Sequence, residues 1–223
     1  GEAGVGDLVD QRLAAAWRLP DGTPGELDRV GVLEIDWAAS RIEVLADHPA
    51  PGRAHGLLAM PDGGFVAVAN RPGRWLLRCD AQGRVRQRHE LEADGAPHTL
   101  GGHAMLSADR QRLFTCETNP DTGEGWIGVR SPDTLRRLGE FRSHGIDPHQ
   151  ALWEPPGPAH PAGTVLLANG GVPTLPETGR TRRDMARMDS SLVRLDATSG
   201  ALRQQWRLAD ARLSLRHLAR HAS

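Results

Sequence analysis

Apolar positions along this chain fall in short runs separated by Gly, Pro, Asn and Asp, and the runs recur in sets of four. One set opens at His55-Gly56-Leu57-Leu58-Ala59-Met60 and turns at Pro61-Asp62-Gly63-Gly64. It continues through Phe65 to Asn70, Trp75 to Asp80, and Arg84 to Leu91. A second opens at His103-Ala104-Met105-Leu106 and continues as Leu113 to Glu117, Trp126 to Arg130, and Leu135 to Phe141. A third opens at His149-Gln150-Ala151-Leu152-Trp153 and continues as Thr164 to Asn169, Ser191 to Asp196, and Ala201 to Leu208. The openings lie 48 and 46 residues apart. A fourth, at Arg216-His217-Leu218, follows after 68, the excess falling in an insertion from Gly170 to Ser190. Before His55, the runs Leu13 to Leu19, Arg29 to Asp36 and Arg41 to Ala46 read as strands of an earlier copy. Asp36 and Asp80 mark matching strand ends.

Four short strands per unit, at a period in the mid-forties, predict an all-β fold: a β-propeller of four-stranded antiparallel blades. A four-stranded twisted sheet cannot bury both faces alone, whereas sheets stacked face to face around an axis can. Runs such as Thr164 to Ala168 and Val30 to Ile35 suit strands packed on both sides. The expected division is a partial blade at 1–48, blades at 55–91, 103–141 and 149–208, and the start of another at 213–223. A β-sandwich with coincidental spacing is the competing fold, but it gives no reason for His at three successive unit starts. With four to five blades, the chain is expected to be a partial set of a seven-bladed ring. The alternative is a small ring in which the last strand completes the first unit.

Composition narrows the function. The chain has 223 residues, with Gly 26 and Pro 16, which suits many tight turns and argues against a helical bundle. Its net charge of −1 gives it no broad electrostatic attraction for nucleic acid or an anionic membrane, and no apolar run is long enough to span a bilayer. All 27 basic residues are arginine and there is no tyrosine. Lysine Schiff-base chemistry and tyrosine acid–base chemistry are therefore excluded. Nucleophile elbow, dinucleotide fingerprint, Walker loop, zincin motif and haem-attachment motif are all absent.

The histidines carry the most information. His55, His103, His149 and His217 each open the innermost strand of a unit, at the end facing the central channel. Converging imidazoles there would bind a transition metal (Fe, Cu or Zn) or an anionic ligand. They would equally serve as hydrogen bonds locking neighbouring blades. His144 and Asp147, in Ser143-His144-Gly145-Ile146-Asp147-Pro148-His149, are expected at the same mouth. His48, His89, His98, His160 and His221 read as solvated surface. Arg180, Arg182 and Arg183 in the insertion are candidates for an anion or an acidic partner, or else a solvated loop. The stretch Glu117 to Gly125 has the composition of a calcium loop but fails the EF-hand pattern, and its Asn, Asp and Gly read as turn builders. Cys79 and Cys116 read as buried free thiols rather than a disulfide.

Several segments together carry a family resemblance. They are Gly102 to Ser107, Asp121 to Val129, Gly139 to His149, Ala168 to Gly171, Glu177 to Arg180 and Leu213 to Leu218. Over roughly residues 50 to 220 the chain resembles an uncharacterised family of bacterial exported seven-bladed propellers. That family is similar to the wider YVTN-type and quinoprotein-amine-dehydrogenase-like group. The resemblance implies a twin-arginine export signal, a periplasmic location, and neighbours in iron acquisition (imelysin-type and di-haem peroxidase-like proteins). It supplies no catalytic residue. This chain departs from the family at Gln150, where Glu is expected, and near Leu175, where a His is expected. The functional expectation is a monomeric periplasmic propeller binding a metal, small ligand or partner protein in iron uptake. The alternatives are a metal- or quinone-dependent oxidoreductase using the His-lined channel, and an interaction scaffold with no ligand.

Overall fold

The computed structural model describes residues 11–173 and 187–221. The described residues hold four antiparallel sheets, each with its strands side by side in chain order. The first contains β1 (Gln11–Arg18), β2 (Asp28–Asp36) and β3 (Arg41–Pro49). The second contains β4 (Ala54–Ala59), β5 (Phe65–Ala69), β6 (Trp75–Cys79) and β7 (Val85–Glu90). The third contains β8 (Thr99–Leu106), β9 (Leu113–Thr118), β10 (Glu124–Arg130) and β11 (Arg137–Ile146). The fourth contains β12 (Pro148–Glu154), β13 (Thr164–Asn169), β14 (Ser191–Asp196) and β15 (Leu202–Trp206). These are propeller blades, and the repeat read from the sequence matches them nearly strand for strand. No strand forms among the described residues 213–221, where a further blade was expected to begin.

A recurring aspartate explains why the hairpins form where they do. Asp80, just past β6, accepts hydrogen bonds from the backbone N–H of Gln82 and Arg84, both at 2.9 Å. Asp196, ending β14, accepts from Thr198 at 3.0 Å and Ser199 at 2.9 Å. Asp36, ending β2, accepts from Ala39 at 2.8 Å. In the third sheet Ser131 does the same for Thr134 at 3.2 Å. A side chain that captures turn N–H groups fixes the reversal between third and fourth strands. By this marker β2 corresponds to β6 and β14, so β1 takes the place of a second strand rather than an innermost one. The stretch Glu117 to Gly125 is likewise built by turn chemistry: Asn119 accepts from the N–H of Asp121 at 2.9 Å.

The core lies between sheets. Every residue of β5 and β6 is buried, because the second sheet has a neighbour on each face. One apolar cluster joins Val30 and Val32 of the first sheet to Phe65, Val68, Leu76 and Leu77 of the second and Leu100, Leu113 and Leu135 of the third. Another joins Phe114, Ile127 and Val129 of the third sheet to Val165, Leu167, Val193 and Leu195 of the fourth. Strand β9 shows the alternation: Phe114 and Cys116 face the fourth sheet, while Thr115 and Glu117 belong to a polar set on the other face. Cys79 and Cys116 are buried free thiols, and burial pushes the Cys79 thiol up to about 11.

That polar set was not legible in the sequence. Glu117 and Arg130 are fully buried and paired at 2.7 Å, and Arg130 also reaches Asp94 at 2.9 Å. Arg137 pairs with Glu117 as well. His98 lies 3.1 Å from Glu117, and His89 lies 2.8 Å from Asp94. His89 and His98 are therefore buried partners of carboxylates, not surface residues as expected. Asp94 closes the short 3-10 helix Leu91–Asp94 after β7, so the network ties the second blade to the third. Burial alone would raise the Glu117 pKa. The His98 hydrogen bond and the Arg130 and Arg137 charges outweigh it and hold the carboxyl at about 2, against an ordinary 4.5.

Removing one partner of such a buried pair leaves the other charged and unpaired. Glu117→Gln is expected to cost about 3–5 kcal/mol in urea unfolding at pH 7. The Glu117 contribution is complete above its ordinary pKa of 4.5 and is lost as pH falls toward about 2. The gap between wild type and variant should accordingly narrow below pH 4.5. A constant gap from pH 7 to 3 would contradict this account.

Candidate metal centre

Three of the four sheets place a histidine in their first strand at a break in its pairing with the second. In β4 the pairing with β5 runs Ala54 to Ala69 and then Gly56 to Val68, leaving His55 as an extra, unpaired residue. In β12 it runs Pro148 to Asn169 and then Gln150 to Ala168, leaving His149 extra. In β8 it breaks between Leu100 and Ala104, and His103 lies in the break. A bulge of this kind releases a side chain from strict up–down alternation and re-aims it.

Glycine allows the bulges to crowd together. Strand β8 packs between β4 and β12. A Cβ on Gly56 would lie 2.4 Å from the Gly102 carbonyl oxygen. Gly102 has φ +106°, and a Cβ there would lie 2.7 Å from the His55 ring. Neither position has room for a side chain, and Gly102 has the backbone angle that only glycine adopts freely. These two residues were part of the sequence pattern, but nothing in it showed that they set the spacing of the histidines.

The result is a cluster. His55, His103, His149 and His217 each offer a ring nitrogen, and these nitrogens all lie within 4.8 Å of one another. Ring centroids are 4.8 Å apart for His55 and His103, 4.9 Å for His103 and His149, and 4.7 Å for His149 and His217. The rings meet edge to face. His149 is 4 % exposed, while His55 and His217 face solvent, so the cluster has a closed side and an open side.

His217 arrives without a strand. Residues 214–220 run beside β12, held by side-chain contacts. Ser214 donates to the Gly170 carbonyl at 2.6 Å, and the Leu215 N–H donates to Ser190 at 2.8 Å. The Leu218 N–H donates to Gln150 Oε1 at 2.9 Å. Gln150, read as a departure from the family pattern, is therefore an anchor for the segment that carries His217. His217 Nε2 stands 3.2 Å from that of His149, a separation at which one ring donates and the other accepts.

Burial and mutual repulsion keep the inner rings neutral. Burial, then the neighbouring His55 and His217, lowers the His103 pKa to about 4. Burial, then His103, Arg71, His217 and Arg216, lowers that of His149 to about 3. His103 Nε2 and His149 Nδ1 are buried with no hydrogen-bond partner in the protein. Buried ring nitrogens left unpaired are costly unless something satisfies them.

The remaining sequence candidates fall elsewhere. His144 does not join the cluster: it is exposed, and its Nε2 stands 3.3 Å from the Gly200 carbonyl. Asp147 lies beside the cluster rather than in it. Its carboxylate is 5 % exposed and pairs with Arg71 and, at 3.4 Å, with Arg216. Two guanidiniums hold it where a metal ligand was expected. Arg180, Arg182 and Arg183 lie outside the described residues.

For metal-free protein, imidazole NMR signals of His103 and His149 are expected to stay in the neutral form from pH 8 down to 5. The unfolded chain takes up protons near 6.5 that the fold refuses, so these rings make stability decline as pH falls below that value. Titration of both rings near 6.5 would contradict the buried, crowded geometry.

Comparison with known proteins bears on the family. No curated protein matches the chain. Among solved structures, "Structure of Dos1 propeller" matches at TM-score 0.49 and 12% identity, covering 80% of this chain and 43% of that one. "Oligogalacturonate lyase in complex with manganese" matches at TM-score 0.48 and 10% identity, covering 79% of this chain and 42% of that one. "Crystal structure of the eukaryotic initiation factor" matches at TM-score 0.43 and 12% identity, covering 88% and 44%. The chain thus spans less than half the length of each of these structures. A family profile matches residues 48–223, which takes in every histidine of the cluster. On that match the chain belongs to the family described as "Protein of unknown function (DUF1513)".

Proposed function

We propose that this protein binds one transition-metal ion at its propeller hub, through His55, His103, His149 and His217. The observation that carries the reading is the convergence of four imidazole nitrogens within 4.8 Å. Metal ions require neutral imidazole, and the depressed pKa values of His103 and His149 supply it at any physiological pH. His103 Nε2, buried without a hydrogen-bond partner, is an atom a metal would satisfy. An all-nitrogen donor set suits Zn, Cu, Ni or Fe and not Ca or Mg. In chemical terms the protein's part is to hold three donors on blade strands and a fourth on the segment beside β12, with two of the four open to solvent. The setting we propose is the periplasm, in iron acquisition, and this rests on the family resemblance alone.

The test is metal analysis of protein purified without a His tag, then loaded with Zn(II), Cu(II) or Fe(II) and dialysed. One ion per chain is expected. His103→Ala and His149→Ala should each weaken binding by roughly tenfold or more, since even outer-shell losses cost about that much. No retained metal, with thermal stability unaffected by a chelator, would overturn the reading and leave the histidines as inter-blade contacts.

A further inference from the structure

We infer that Gln150 and Ser190 are positioning residues for the metal site: they latch the segment that carries His217, so that the fourth donor closes over three histidines fixed on strands. This deepens the metal reading and rests on it. His55, His103 and His149 belong to β4, β8 and β12, and each has ladder pairs on both sides of it. His217 has no ladder. Among the described residues 214–221, no backbone-to-backbone hydrogen bond joins the segment to the fourth sheet. Two side-chain acceptors hold its main-chain N–H groups instead, one on each side of the ligand. The Leu215 N–H donates to Ser190 Oγ at 2.8 Å, and the Leu218 N–H donates to Gln150 Oε1 at 2.9 Å. Further out, Ser214 donates to the Gly170 carbonyl and Arg220 to the Trp153 carbonyl.

Both anchors are fixed in turn. Ser190 is buried and gives its hydroxyl proton to the Asn169 carbonyl at 3.2 Å, which leaves its lone pairs to the Leu215 N–H. Gln150 returns to the β12 ladder opposite Ala168, directly after the displaced His149. One strand thus offers a metal ligand at one residue and, at the next, an acceptor for the chain that brings another ligand. The ligands so connected are neighbours: ring centroids are 4.7 Å apart for His149 and His217, and 5.3 Å for His103 and His217. Anchors one residue after His217 and two before it leave its Cα little freedom. A ligand already held by outer partners costs less to order when the metal binds. Losing one partner frees the arm and removes the fourth donor, while the three strand-borne histidines remain as a weaker site.

The probe is Zn(II), titrated into the untagged protein in competition with a chromophoric chelator. Gln150→Met, of similar size but without an acceptor, should weaken zinc by roughly tenfold, the usual effect of losing an outer partner of a ligand. Gln150→Glu keeps an acceptor oxygen and should recover that loss. Ser190→Ala, which removes the other anchor, should act in the same direction as Gln150→Met and carries the test if circular dichroism shows that the Met variant is unfolded. His217→Ala should keep a weaker three-histidine site. Adding Gln150→Met to it should change the affinity by less than about twofold, since the latch then holds nothing that binds. Zinc affinity unchanged in Gln150→Met and Ser190→Ala would overturn this inference. So would equal weakening by Gln150→Met with and without His217, which is the mark of a general effect on the fourth sheet, or loss of all zinc binding in His217→Ala. Each of those results leaves the metal reading standing. Failure of the wild-type protein to bind zinc, copper or iron at all would overturn both.

Discussion

Everything about the hub depends on how closely the first strands of adjacent blades approach one another. Apolar faces drive the sheets together: Phe65, Leu76 and Leu77 lie in the cluster that joins the second sheet to the first and third, and Phe114 and Ile127 lie with Val165 and Leu167 in the cluster that joins the third to the fourth. Stacked twisted sheets splay outward, so their inner edges crowd. At that edge a side chain has no room between strands, and the sequence answers with Gly56 and Gly102. The histidine beside each glycine lies at a break in the ladder, and its ring meets those of the neighbouring blades. The histidine cluster is thus a consequence of edge crowding combined with three bulges, and each bulge alone would position nothing.

Two kinds of polar burial coexist in this fold, and they have different physical characters. The set around Glu117 and Arg130 is dense in opposite charges, with every carboxylate facing an arginine or a histidine. It ties two blades together through paired charges. At the hub, four like groups face one another, two ring nitrogens go unpaired, and the nearest carboxylate is engaged by arginines. Complementary charge suits a structural role. Convergent like groups without opposite charge do not suit one, which is the contrast on which the metal proposal is built.

The architecture was legible because its signals are local. Alternation and turn chemistry in Pro61-Asp62-Gly63-Gly64 or at Asp80 and Asp196 act over a few residues, and they define hairpins whatever surrounds them. The spacing of His55, His103 and His149 carried the hub into the sequence because each blade uses the same position for the same purpose. His144 and Asp147 misled for the converse reason. They are close to His149 in the chain, but both have positive φ, at 53° and 54°, and the backbone turns at each of them. Neighbours in sequence were therefore sent to the Gly200 carbonyl and to the Arg71–Arg216 pair.

His89 and His98 show the same limit from the other side. Each sits next to a turn with polar neighbours, the ordinary signature of a solvated residue. Burial reaches them from Asp94 and from Glu117, which are brought in by the packing of one blade on the next. The sequence by itself determined the strands, their order within blades and the repeating histidine, because hydrogen-bonded hairpins and a fixed period are short-range properties. Only the tertiary structure decided which of ten histidines share a site, which carboxylates are neutralised and by whom, and how His217 reaches the hub without a strand. Those outcomes depend on contacts between blades, and the distance between blades is set by side-chain packing summed over whole sheets.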